Sequence, residues 1–168
     1  MTKNMKRILT IIILLVISGP ILFSQNKEIK NIFEKYEKNK SVESVYLSPF
    51  LMAMAGKFTN DAEGKEWISA IEEMRILTVE MHGKNSGNVE LVKQIKGEFD
   101  NLFGRYKFER ALRVKDGDEL VEMYVLKEDK GLILFLNDSP DEFSVIVMFG
   151  SISDKILKAV MKGGVKFN

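Results

Sequence analysis

Between Tyr106 and Phe149 the sequence reads as four strands joined by short turns, and this stretch limits the folds open to the chain. Tyr106, Phe108, Arg110, Leu112 and Val114 alternate with Lys107, Glu109, Ala111 and Arg113, the period of two expected of a half-exposed strand. Asp116-Gly117 follows, a strong hairpin signal, because glycine supplies a positive φ at no steric cost and aspartate tolerates one. A second strand is predicted from Leu120 to Leu126, with a turn over Glu128 to Gly131. Leu132 to Leu136 and Phe143 to Phe149 are nearly continuous apolar runs, as in central strands covered on both faces, and Asn137 to Asp141 turns between them. Strands joined this tightly must run antiparallel, since parallel neighbours need a long crossover.

Upstream the pattern is mostly helical. Ile29, Ile32, Phe33 and Tyr36 fall at i, i+3, i+4 and i+7, one apolar stripe beside a face of mixed charge. Val42 to Leu47 reads as a short strand. Ser48-Pro49 then starts a helix, with serine as N-cap and proline at the first helical position. Leu51, Met54, Ala55 and Phe58 supply its predicted apolar stripe, and Met52 and Met54 are expected to fill the core. Thr59 to Gly64 reads as a polar loop, and Trp67, Ile68 and Ile71 as a short helix. In the strand that follows, Leu77, Val79 and Met81 share one face and Ile76, Thr78 and Glu80 the other. Gly83 to Asn88 is a predicted loop. Leu91, Val92, Ile95, Phe99 and Leu102 mark a third long helix, with Gly104 as its expected C-cap. A final helix is expected after Ser153, carrying Ile156, Leu157, Val160 and Met161, with Gly163-Gly164 as its stop. The expected fold is α+β: a mixed, largely antiparallel sheet that ends in a four-stranded meander, with helices packed on it.

The first 24 residues stand apart from this plan. Lys3, Lys6 and Arg7 precede an uncharged apolar run from Ile8 to Phe23, broken by Gly19-Pro20 and closed by the small Ser24. That order is the one found in a secretory signal, and the run is short of the roughly 20 residues of a membrane span. The reading is a signal peptide over residues 1–24, cleaved after Ser24, and a single domain over 25–168, exported to the periplasm or the extracellular space. Contact with the membrane is then expected only during export. Retention of the apolar segment as an anchor is the alternative.

Taken together, Ser48-Pro49-Phe50-Leu51-Met52, Lys57-Phe58, Ile71 to Leu77, the Phe99 helix leading into Tyr106, Leu112 to Gly117 and Phe143 to Gly150 with Ile152 resemble the domain of unknown function 4252 family, small exported proteins of Bacteroidetes. The likeness spans nearly the whole chain after the leader and lies in the order and spacing of apolar positions and turns. The resemblance implies an envelope location. It implies no activity and brings no functional residue with it.

Several chemistries are disfavoured by residue counts. The 168 residues contain no cysteine, which removes disulfides, thiolate metal sites, cysteine nucleophiles and a lipid-anchoring cysteine. The single histidine, His82, rules out a site that needs two imidazoles, and no Gly-x-Ser-x-Gly elbow accompanies it. With 25 basic against 24 acidic residues, no overall charge points to nucleic acid. Two acidic loops, Asp116 with Asp118 and Asp138 with Asp141, have the composition of weak calcium sites but read better as turns. Arg105, Lys107, Arg113 and Lys115 share the odd-numbered face of one predicted strand, a candidate anion-facing stripe or a solvated face. Glu72 and Glu73 are read as neighbours at a helix end. No catalytic set, cofactor or metal site emerges.

The reading favoured by the sequence is a non-catalytic envelope protein that binds a partner protein or small ligand through its sheet or helical surface. A carboxylate-dependent envelope hydrolase is the second reading, and a carrier of a small apolar ligand between sheet and helices the third.

Overall fold

The computed structural model describes residues 21–81, 86–126 and 129–151. The expected leader up to residue 20, His82, Gly83, Glu128 and the expected final helix lie outside the described residues. In chain order the elements are α1 (Ile21–Tyr36), β1 (Glu43–Leu47), α2 (Pro49–Phe58), α3 (Ala62–Ala70), β2 (Ile71–Glu80), α4 (Ser86–Arg105), β3 (Phe108–Asp116), β4 (Glu119–Leu126), β5 (Asp129–Asp138) and β6 (Glu142–Gly150). No described helix is long and apolar enough to cross a membrane.

The six strands form one sheet in the order β1-β2-β6-β5-β4-β3, and every pairing is antiparallel. The last four strands make the expected meander, and the two early strands extend it on the far side of β6. β6 therefore lies inside the sheet, which accounts for its apolar run: Phe143, Val145, Val147 and Phe149 are buried on one face and Met148 on the other.

α1 and α4 cover the first face. The stripe Ile29, Ile32, Phe33 and Tyr36 and the stripe Leu91, Val92, Ile95, Phe99 and Leu102 are all buried, and they pack with Leu77, Val79, Leu126, Phe143, Val145 and Val147. Phe33 meets Phe99 edge-on at 6.4 Å, and Phe103 stacks on Tyr124 at 4.2 Å. Each fully buried side chain of this size contributes roughly 2–3 kcal/mol. A smaller cluster on the opposite face joins Met52, Ile71, Met123 and Met148, with Trp67 and Ile68 of α3 beside it.

Two glycines have structural reasons to be glycine. Gly117, with φ of +56°, takes the first central position of the β3–β4 hairpin, where a type II′ turn needs a positive φ. Gly150 ends β6 beside a register shift between Ile71 and Glu73, and a Cβ there would stand 2.0 Å from the Ala70 carbonyl oxygen. Ser151 donates its backbone N–H to the same oxygen at 2.8 Å.

Several local expectations are corrected. α3 begins at Ala62, inside the expected loop, because Asp61 caps it and accepts from the Gly64 N–H at 2.6 Å. Ile71 opens β2 rather than closing a helix, so Glu72 and Glu73 are strand residues that point to opposite faces. Gly104 lies within α4, whose backbone continues to Arg105 without a left-handed cap. Asp129 to Gly131 belong to β5 rather than to a turn.

The largest correction concerns α2. Met52 and Gly56 face inward, whereas Leu51, Met54, Ala55 and Phe58 are exposed. Almost every residue of Pro49–Phe58 is apolar, so periodicity had no polar face to contrast with the buried one. Only the docking against α3 and β2 selects the inward side.

Candidate docking site

The sequence-predicted basic stripe does not form. Arg105 ends α4 and holds Glu28 of α1 at 2.7 Å, and Lys107 lies between α4 and β3. Within β3 the register shifts between Arg110 and Leu112, leaving Ala111 as the extra residue of a bulge. One extra residue exchanges the two faces of a strand. Arg113 and Lys115 therefore turn to the helix-covered face with Arg110, and Arg110 and Arg113 both approach Glu122, at 3.0 and 3.6 Å. Glu122 also accepts from the Tyr124 hydroxyl at 3.1 Å. Burial, then the charge and hydrogen bond of Glu122, raise the Tyr124 phenol above its usual range.

The acidic loops are turns. Asp116 pairs with Glu119 across the tip of the β3–β4 hairpin, and Asp118 lies in the tip itself. Asp138 forms an ion pair with Lys96 of α4, and the Asp141 carbonyl accepts from the Met81 N–H at 2.7 Å. Ser139 closes the β5–β6 turn, exchanging hydrogen bonds with the Glu142 backbone at 2.9 and 3.1 Å. Among the described residues no group of three or more acidic or histidine side chains is placed to hold a metal ion.

A buried charged cluster that the sequence did not reveal sits where α1 crosses β2. Glu73 is 7% exposed and lies on the same face as Arg75, Leu77 and Val79. Lys30 donates to one of its carboxylate oxygens at 2.7 Å and the Arg75 Nε to the other at 2.6 Å. Arg75 also approaches Glu34 at 3.8 Å and lies over the Tyr46 ring of β1 at 4.7 Å. Burial by itself pushes the Glu73 carboxyl upward. The hydrogen bonds and charges of Lys30 and Arg75 outweigh it and hold the group below the usual carboxylate range. A general acid needs the opposite shift and an open face toward substrate. Glu73 instead fastens helix to sheet. The only hint in the sequence is that Glu73 and Arg75 alternate in phase with Leu77 and Val79.

The feature that does face solvent is apolar. Phe50, Met54 and Phe58 recur at one-turn spacing on α2 and are 71%, 37% and 75% exposed, with Leu51 beside them. Val45 and Tyr46 of β1, which ends one residue before α2, are also exposed, but on opposite faces of the sheet: Val45 pairs with Ile76 on the α2 side and Tyr46 with Arg75 on the α1 side. Exposed large apolar side chains are ordinary singly, but three in line on one face of a helix make a candidate interaction surface. An open cleft of about 410 Å³ runs between α2 and α3, lined by Pro49, Met52, Ala53, Ile68, Ser69, Ile71 and Glu72. It is a surface cleft between two short helices, not a cavity between sheet and helices of the kind an enclosed apolar carrier would need.

These residues define a small α+β domain: an antiparallel six-stranded sheet, two helices over one face, and a short apolar helix left open beside an edge strand. The chain belongs to the family described as Domain of unknown function (DUF4252), whose model matches residues 36–160. The match takes in the whole sheet and α2 to α4, while α1 reaches it only at Tyr36. No curated protein and no solved structure matches the chain.

Proposed function

We propose that this chain is an exported, non-catalytic binding domain of the cell envelope that holds a protein partner against α2 and the adjoining edge of the sheet. The observation that carries the reading is the line Phe50, Met54 and Phe58, left in water on a helix whose other side is already packed. Leaving two phenylalanines this exposed gives up several kcal/mol of burial that a partner would recover. The α2–α3 cleft beside the line would receive an apolar anchor from that partner. Export is supported by the charged, apolar, small-residue order of residues 1–24.

The test is native mass spectrometry on the protein recovered from its own cell envelope. The expected result is a chain that begins at Gln25 and carries a bound protein. A variant with Phe50→Ser and Phe58→Ser should lose that bound mass while unfolding at the temperature of the partner-free parent. A chain that keeps its first 24 residues would overturn the processed-leader reading. A bound protein retained unchanged by the double variant would overturn the docking surface.

A further inference from the structure

We infer that the partner at this border is a second copy of the chain, joined by antiparallel pairing of β1 with β1 across a two-fold axis; the inference rests on the docking surface proposed above. The two edges of the sheet differ. β3 is blunted: the Ala111 bulge interrupts its ladder, and Glu109, Arg110, Arg113, Lys115 and Asp116 make it strongly charged. Both devices discourage strand addition. β1 has neither. Its pairing with β2 runs without a register shift from Glu43 to Leu47, it contains no proline or lysine, and its one charge lies at its first residue. An edge of this kind is a template for another strand.

The segment is also compatible with itself. A two-fold axis through Val45 sets Val45 against Val45 of the other copy, Ser44 against Tyr46, and Glu43 against Leu47. The two Glu43 carboxylates then lie at opposite ends of the new ladder, so no like charges face each other. A parallel pairing in register would place them side by side. Ladder contacts from five residues make a small interface. α2 begins after the single residue Ser48, and the exposed Phe50 and Leu51 of its first turn would add apolar area to the ladder. Such a contact is isologous and closes at two copies.

The absence of cysteine makes the register directly measurable. Val45→Cys would place one thiol opposite its own copy, at a cross-strand Cα separation within disulfide range. Mild oxidation of this variant in the full chain recovered from the envelope should give a covalent dimer. Tyr46→Cys, which faces Ser44, should not cross-link alone but should do so when mixed with Ser44→Cys. Light scattering should give twice the chain mass for the parent and the single mass for Val45→Lys, whose circular dichroism should match the parent's. A monomeric parent with no Val45→Cys cross-link would overturn the pairing. If that monomer still loses a different bound protein on Phe50→Ser with Phe58→Ser, the docking surface stands without self-association. If the double variant changes nothing, both readings fall.

Discussion

Lys30 of α1 reaches down onto Glu73 of β2, and at 2.7 Å the pair joins the helix to a residue that is 7% exposed. Arg75 holds the other oxygen of the same carboxylate at 2.6 Å. Removing Glu73 would take the shared acceptor from Lys30 and Arg75 and leave Arg75 only the more distant Glu34, at 3.8 Å. Glu73→Ala is expected to cost about 2 kcal/mol, below the full penalty of a broken buried pair because Lys30 can swing into water. Thermal unfolding of the two proteins side by side checks this.

The same group sets a pH dependence of known sign. Its folded-state pKa is lowered, so its contribution is present above the usual carboxylate range and fades as pH falls through that range toward the folded value. The parent should therefore lose stability on acidification more steeply than Glu73→Gln, and the two curves should converge at the acid end. Denaturant midpoints measured across the acidic range would show it. Parallel curves would remove Glu73 from the account.

Gly150 and Gly97 should respond oppositely to alanine. At Gly150 a methyl group would overlap the Ala70 carbonyl oxygen, itself the acceptor of the Ser151 N–H. Backbone on one side and a bulged strand on the other leave little room to yield, so Gly150→Ala should cost more than about 2 kcal/mol. Gly97 lies inside α4 with nothing within 4 Å of an added Cβ, and Gly97→Ala should stabilise by up to about 1 kcal/mol. Chemical denaturation of the two variants tests both signs at once.

Phe58 and Phe99 separate binding from folding. Phe99 is fully buried between Phe33 and Phe103, and Phe99→Ala should cost about 3–5 kcal/mol. Phe58→Ser should leave stability within about 0.5 kcal/mol, since three-quarters of that side chain is already in water. A large loss from Phe58→Ser would show that the side chain packs within its own chain.

Tyr124 offers an optical readout of the cluster around Glu122. Its phenol is expected to ionise above the ordinary range, and the late transition should vanish in Tyr124→Phe. Glu122→Gln should move it down by removing a neighbouring negative charge while leaving burial in place. Alkaline absorbance titration of the three proteins distinguishes the charge from the burial.

Much of this architecture could be read in the amino-acid order. The meander was legible because two-residue alternation, an Asp-Gly turn and uninterrupted apolar runs are local patterns with local causes. The stripes of α1 and α4 were legible for a related reason: their polar faces contrast sharply with the buried ones. The family likeness followed from the same spacings.

What tertiary structure decided concerns faces and neighbours. α2 is apolar nearly all round, so its exposed line of Phe50, Met54 and Phe58 emerged only once α3 and β2 had taken Met52 and Gly56. The bulge at Ala111 carries no signature in its own residues, yet it turns Arg113 and Lys115 onto the face of Arg110 and dissolves the basic stripe that alternation implied. Glu73 looked like one carboxylate among many until α1 brought Lys30 over it from 43 residues away in the chain. The sequence alone determined the main helices and strands and which strands follow one another, because those choices depend on residues a few positions apart, whereas element ends such as Ala62, Ile71 and Asp129 were set by the fold. Which side of each element meets solvent, and which charges meet each other, depended on long-range packing that no local period encodes.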